Sequence, residues 1–395
     1  MKKKIQELAR RLHEEIVSHR RYLHAHPELS FQEYNTSRFI KDTLDGLGVP
    51  WVAMAETGVV GYIRGERPSG AVLALRADID ALPIQEVSGA SYRSEHDGVM
   101  HACGHDAHTA SLLGVAAILQ QLRAEFGGVV KLIFQPAEEK IPGGAIQMIK
   151  EGVLEKPKPR AVLGQHVMPS IQVGKVGVRG GHFMASNDEV HITVKGKGGH
   201  GAQPQLNTDP VVIASHIILA LQQIVSREAD PKTPTVLTFG KVIANGATNV
   251  IPDTAMLEGT FRTIDEAWRV VAHKRIREIA SGIAACFGAV CDVRIVQGYP
   301  CLVNEGGLAA RFRTWAEEYL GEENVLEADI WMASEDFAYY SQATDTCFYL
   351  LGAGNTVQRE AASLHTPTFD IDEQALEIGA GLMAFAALEY LDGEA

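Results

Sequence analysis

The chain has 395 residues, 46% hydrophobic and 22% charged, with a formal net charge of −13. That length exceeds one ordinary domain, and the composition is that of a globular protein with a sizeable core and no low-complexity tract. The acidic balance argues against a nucleic-acid partner, which needs a clustered basic face, and no apolar run has the length and purity of a membrane-spanning helix.

The N-terminus begins Met1-Lys2-Lys3-Lys4, as a secretory signal does, but Glu7, Glu14 and Glu15 stand where an apolar stretch should follow. A cytoplasmic location is therefore expected. The spacing Ile5, Leu8, Leu12, Ile16 predicts an amphipathic opening helix. Strands and helices then alternate. Val72 to Leu75 reads as a strand, Ala107 to Leu122 as a helix, Val129 to Phe134 as a strand, Ala145 to Glu151 as a helix and Ala161 to Leu163 as a strand. Near the end, Cys347 to Leu351 is strand-like and Asp372 to Tyr390 helical. This alternation predicts an α/β, doubly wound, mostly parallel sheet.

From Asp188 to Val296 the rhythm changes to strand, helix, strand, strand, helix, strand: Val190 to Val194, Asp209 to Ser226, Thr235 to Lys241, Met256 to Thr263, Glu266 to Phe287 and Ala289 to Val296. That βαββαβ order is ferredoxin-like. One domain formed by 1–186 and 298–395, interrupted by an inserted domain at 187–297, is the simplest organisation.

Three strands end in residues able to bind metal: Asp78-Ile79-Asp80, then Gln135-Pro136-Ala137-Glu138-Glu139, then Gly164-Gln165-His166. In an open α/β sheet, ligands bind beyond the carboxyl ends of the strands, so these distant segments should converge. The densest cluster, Met100-His101-Ala102-Cys103-Gly104-His105-Asp106-Ala107-His108, precedes a helix and offers a thiolate and imidazoles suited to a Zn²⁺-like ion. Any one of these histidines could instead be a helix cap. Glu138 and Glu139 are adjacent, so in extended backbone they should face opposite ways, one free to ligate metal and the other to act as a base. His365, in Leu364-His365-Thr366-Pro367, is ambiguous by itself. The five cysteines, Cys103, Cys286, Cys291, Cys301 and Cys347, form no disulfide framework. Reduced thiols are expected, with all but Cys103 read as small buried hydrophobes.

Taken together, His24–Glu33 (HAHPELSFQE), Arg76–Pro83 (RADIDALP), Met100–His108 (MHACGHDAH), Gln135–Glu139 (QPAEE), Gly164–His166 (GQH), Gly198–Pro204 (GGHGAQP), Thr248–Pro252 (TNVIP), Gly259–Thr263 (GTFRT), Ser334–Phe337 (SEDF) and Leu364–Pro367 (LHTP) resemble the metallopeptidase family of aminoacylases, hippurate hydrolases and plant auxin-conjugate hydrolases. The resemblance implies an amidohydrolase acting on N-acyl amino acids with two divalent metal ions, Zn, Mn, Co or Ni. Cys103, His105, Glu139, His166 and His365 would hold them, with Cys103 as the bridge where other branches of the family use an Asp. Glu138 would be the general base. Asp78 and Asp80 fall where related peptidases carry a His-x-Asp pair, and are expected to orient ligands. The inserted domain would be the lid and dimerisation domain of a homodimer or homotetramer. His200 would stabilise the reacting carbonyl, while Asn249 and Arg262 would hold the substrate's carbonyl and carboxylate. A deacetylase for N-acetyl-diaminopimelate or N-acetylcysteine is an alternative within the class. Outside it stand a metal-free thiol hydrolase using Cys103 and a non-catalytic binding protein.

Overall fold

The computed structural model describes residues 1–354 and 363–394. The chain divides into two compact units: Met1–Gly181 with Val303–Asp329 and Asp336–Ala395, and His182–Leu302 with Ile330–Glu335. The expected insertion limits, 187 and 297, lie a few residues inside the second unit. Ile330–Glu335, left in the larger domain by the sequence reading, clusters with the second.

The first unit is built on an eight-stranded sheet. Its order is Trp51–Met54, Gly58–Arg64, Gly127–Gln135, Arg67–Asp78, Ala161–Gln172, Asp345–Gly354, Val176–Val178, Val325–Glu327. The four central strands, from Gly127–Gln135 to Asp345–Gly354, pair in parallel; antiparallel pairs join them on each side, and the last pair, Val176–Val178 with Val325–Glu327, is parallel again. Near-continuous apolar runs such as Val129 to Phe134 are buried because helices cover both faces of a parallel sheet. Successive residues on one strand show this. A Cβ on Gly164 would strike Phe337, whereas the neighbouring Gln165 lies against Gly379 of the helix Gln374–Gly393. That helix, Lys2–Ala25 and His105–Gln121 contribute to one continuous apolar core. His105–Gln121 is buried nearly all round, so it carries almost no polar stripe.

The second unit holds a four-stranded antiparallel sheet ordered Thr235–Ile243, Thr254–Thr263, Ser186–Lys195, Val290–Gln297, with the helices Pro210–Gln223 and Glu266–Cys286 packed against it. This is the ferredoxin-like arrangement. Asp209 caps the first helix, its Oδ1 accepting from the Val211 and Val212 N–H groups, with Pro210 at the first helical position. Pro210–Glu228 is long and apolar enough by composition to cross a membrane, contrary to the sequence reading. Here it buries Ile213, Ile217 and Leu221 in the unit's own core and leaves Val212 and Leu219 exposed.

Two further corrections concern the sequence reading. Cys286 is exposed and Cys291 only partly buried, so the apolar neighbours of Cys286 in sequence do not make it a core residue. The helices Tyr34–Gly46 and Gly306–Leu320 and the hairpin Trp51–Arg64 went unassigned, being short or weakly patterned.

Candidate metal centre

Strand register brings the carboxyl ends together. Asp78 pairs with Gln135, and Arg76 pairs with both Ile133 and Gly164, so Asp78, Gln135 and His166 emerge at one level. The N-terminus of the helix His105–Gln121 arrives at the same end. Gly104 caps it at φ 86°, and an added Cβ there would lie 2.3 Å from Val167 Cγ2. Only glycine fits both the left-handed backbone and that contact. No side chain caps this helix, so the histidines are free for other work.

Five donors converge. Cys103 Sγ lies 3.4 Å from His166 Nε2 and 3.3 Å from His365 Nε2, and His365 Nε2 lies 3.3 Å from Glu139 Oε1. The ligand atoms of Cys103, His105 and His166 lie within 4.8 Å of one another, as do those of Cys103, Glu139 and His365. Cys103 is the donor common to both sets. His166 donates its Nδ1 proton to the Val167 carbonyl at 2.7 Å, which turns Nε2 toward the thiol. His105 directs Nδ1 to the Asp80 carbonyl and Oδ1 at 3.0 and 3.1 Å, which leaves Nε2 free.

These residues fit a bound cation. Among the described residues, His105 Nε2 and Glu139 Oε1 are buried without a hydrogen-bond partner, an arrangement that is costly unless something else satisfies them. The charge balance agrees. Burial would lower His105, yet Asp78, Asp80 and Glu139 outweigh it and raise the imidazole to about 10. Burial and the charges of Glu139, Glu138 and Asp78 push the Cys103 thiol well above its usual range. Burial and the neighbouring His108 hold His166 well below the ordinary histidine value. The soft thiolate, imidazoles and carboxylate suit a borderline divalent ion.

Glu138 and Glu139 do not face opposite ways as extended backbone would require. Ala137 sits at φ 53°, which turns the chain after Pro136. As a result both carboxylates lie within 4.8 Å of each other and of His105.

Outside the donors lies a set of buried groups. Asp80 takes Ser30 Oγ–H at 2.6 Å and the Glu139 N–H at 3.0 Å, besides its contact with His105. Asp78 pairs with Arg76 Nη1 at 2.6 Å and His108 Nδ1 at 2.6 Å. His108 Nε2 accepts the Val167 N–H at 2.9 Å, so its single proton sits on Nδ1 and faces Asp78. Arg76 also reaches Gln135 and Asp336. Burial lifts Asp336 to about 6 despite the pull of Arg76. Arg20 and His24 close around Asp106 at 2.8 and 2.7 Å. Both nitrogens of His101 are buried and have no hydrogen-bond partner among the described residues, and burial pushes it down to about 4.

Sequence reasoning assigned no role to His108, Arg76, His24 or Glu33, although all lie in the quoted segments. For His108 a signal existed, since it follows His105 by three positions on one helix face. His200, Asn249 and Arg262 belong to the second unit, where His200 and Asn249 are exposed. His200 Nδ1 accepts the Ala202 N–H at 3.0 Å. Arg262 is partly buried and donates to the Met332 carbonyl at 3.1 Å, with no carboxylate partner among the described residues.

A doubly wound sheet with this donor set at its carboxyl edge, together with the similarities that follow, defines a metal-dependent hydrolase acting on amide bonds. Residues 74–389 match the profile of peptidase family M20/M25/M40. The chain is 40% identical over 382 residues to an IAA-amino acid hydrolase (ILR1-like 4) of Arabidopsis thaliana, covering 95% of this chain and 86% of that one. It is also 40% identical over 382 residues to N-acetylcysteine deacetylase of Bacillus subtilis, covering 96% and 98%. Among solved structures it resembles the Bacillus subtilis YXEP protein, a dinuclear metal binding peptidase, at TM-score 0.83 and 37% identity, covering 97% and 99% of the two chains. The chain belongs to peptidase family M20/M25/M40.

Proposed function

We propose that the protein cleaves the amide bond of N-acyl amino acids, using two divalent cations that Cys103, His105, Glu139, His166 and His365 would hold, Cys103 being the donor common to both groups. The observation that carries this reading is the convergence of those donors around two buried atoms, His105 Nε2 and Glu139 Oε1, that have no hydrogen-bond partner among the described residues. A divalent cation bound there would supply Lewis acidity toward water and the acyl group. Glu138, beside Glu139 and nearly buried, takes the proton of the attacking water and returns it to the leaving amine. His200 donates to the developing oxyanion, Asn249 holds the carbonyl side and the Arg262 guanidinium holds the substrate's free carboxylate. Asp80 and Asp78 orient the imidazoles around the donors. The lack of an acidic partner for Arg262 supports its role, because a half-buried guanidinium without a counter-charge is available for a ligand's carboxylate.

The second unit acts as lid and self-association element, consistent with the exposed Val212, Leu219, Val270 and Val290 on it. A metal-free thiol mechanism is disfavoured because burial and the charges of Glu139, Glu138 and Asp78 hold the Cys103 thiol well above its usual range, whereas a nucleophilic cysteine needs it lowered. The test is to strip the protein with a chelator, restore Zn²⁺, Mn²⁺, Co²⁺ or Ni²⁺, and assay N-benzoylglycine, N-acetylcysteine, N-acetyl-diaminopimelate and other N-acetyl amino acids. Loss on stripping with return on reconstitution is expected, and Glu138→Ala should abolish turnover while binding the same metal. Activity that survives complete stripping would overturn the reading.

A further inference from the structure

The turn that carries the base is held at two backbone points, one on each side of Glu138. The Glu139 N–H donates to Asp80 at 3.0 Å, and the Ala137 N–H donates to Glu33 Oε1 at 2.9 Å. Asp80 is already engaged with His105, but Glu33 takes no part in the chemistry above. It is completely buried. Its other partners are the Phe31 N–H, 2.9 Å from the same Oε1, and the Thr57 hydroxyl, 2.7 Å from Oε2.

Local structure gives Glu33 no reason to be buried. It occupies the N-cap position of the helix Tyr34–Gly46, where an acidic side chain usually serves the first turn, yet it makes no capping bond. Glu28 does that work, accepting the N–H groups of Asn35 at 3.1 Å and Thr36 at 2.8 Å. The Glu33 carboxylate instead turns inward, where burial and the nearby Asp80 push it up to about 7. The two N–H groups it accepts belong to Phe31 at φ 66° and Ala137 at φ 53°. For residues with a Cβ, such left-handed backbone is strained and persists only where its surroundings enforce it. One short segment therefore braces the turn twice, Glu33 directly on Ala137 and Ser30 through Asp80 on Glu139.

We propose that Glu33 is a positioning residue for Glu138: its carboxylate clamps the backbone at Phe31 and Ala137, fixes the left-handed turn, and so aims the base. This rests on the assignment of Glu138 as the base. A slack turn displaces the base without removing a metal ligand, so the defect belongs in kcat rather than in substrate binding or metal content.

The experiment compares Glu33→Ala, Glu33→Gln, Thr57→Val and Glu138→Gln as metal-loaded enzymes, measuring kcat, KM, bound metal and thermal midpoint. Glu33→Ala should lower kcat roughly 10- to 100-fold with KM and bound metal unchanged. Glu33→Gln should recover most of that loss, because the amide oxygen accepts the same two N–H groups while the Thr57 hydroxyl turns to accept from the amide nitrogen. Thr57→Val removes the anchor on Oε2 and should give a smaller loss in the same direction, and it carries the test alone if Glu33→Ala does not fold. Unchanged kcat in Glu33→Ala, or in Thr57→Val where that variant stands alone, overturns the proposal. So does a loss lying wholly in KM or metal content, or a Glu33→Gln as poor as Glu33→Ala. If Glu138→Gln keeps full turnover, the base assignment fails and takes the clamp with it. If it is inactive while Glu33→Ala is fully active, only the clamp fails.

Discussion

His108 lies in the histidine-rich segment beside Cys103 and His105, yet its geometry makes it a brace rather than a ligand, and His108→Ala tests that distinction. Both of its ring nitrogens are used: Nδ1 on Asp78 at 2.6 Å and Nε2 on the Val167 N–H at 2.9 Å. Truncation strands a buried backbone N–H, which costs about 1–3 kcal/mol. Asp78 keeps Arg76, so the loss of one of its hydrogen bonds adds only about 1–2 kcal/mol. The vacated ring volume adds about 1–2 kcal/mol more, since the site can close only partly. The expected loss is therefore about 3–7 kcal/mol before relaxation, enough to lower the chemical-denaturation midpoint clearly. Because Val167 follows His166 directly, the freed strand end also loosens a ligand, and groups that orient ligands typically contribute 10- to 100-fold in metal affinity. Competition against a chromogenic chelator reads that affinity. A His108→Ala protein that folds, binds metal within about twofold of the parent and loses less than about 1 kcal/mol would refute the reasoning.

Glu33 should give a pH signature in the metal-stripped protein. With its native value near 7 against an ordinary 4.5, the folded state holds a proton there that the unfolded chain has released, so stability should fall by at most about 3 kcal/mol as pH rises from 4.5 through 7. Glu33→Gln should flatten that slope in urea titrations, and an identical slope in both proteins counts against the buried carboxylate. Arg262→Lys should raise KM for N-acyl amino acids by roughly 10-fold or more, because the planar fork is lost, yet leave amides lacking a carboxylate untouched; equal effects on both substrates remove the carboxylate role. Val212→Glu with Leu219→Glu, seven residues apart on one exposed helix face, should shift the protein to a smaller species in light scattering, whereas an unchanged mass means association lies elsewhere. Metal binding near pH 7 should release roughly two protons, one from the Cys103 thiol and one from the His105 imidazolium. Calorimetry in buffers of different ionisation enthalpy measures this, and a release near zero contradicts the charge balance described for the centre.

Much of the architecture was legible because its signals are local. The apolar run Val129 to Phe134 and the patterned stretch Ala107 to Leu122 identify a buried strand and a helix by themselves, and the donors at three strand ends follow from parallel topology. What escaped depends on distant partners or on single backbone angles. The orientation of Glu138 and Glu139 turns on Ala137 at φ 53°, a conformation that alanine does not advertise. The role of His108 requires the Val167 N–H, 59 residues away, and that of Glu33 requires the Ala137 N–H, 104 residues away. Cys286 failed for the opposite reason: its neighbours Ala284 and Ala285 look like core, but it falls on the outer side of its helix.

The buried carboxylates around the centre explain why folding and metal binding should be coupled. Asp78, Asp80, Glu138 and Asp336 are all buried, and Arg76 is a fixed cation among them, paired directly to Asp78 and Asp336. Asp80 relies on hydrogen bonds from Ser30, the Glu139 N–H and His105 instead. Desolvated charges are tolerated only when paired, so without metal the balance is met by protons retained on His105 and Cys103. His105 Nε2 and Glu139 Oε1 are the atoms that would hold a cation there, and Asp78 and Asp80, which orient the donors, already have partners of their own. The same network thus fixes the donor side chains through protein contacts alone, which is what a preorganised hydrolytic site requires.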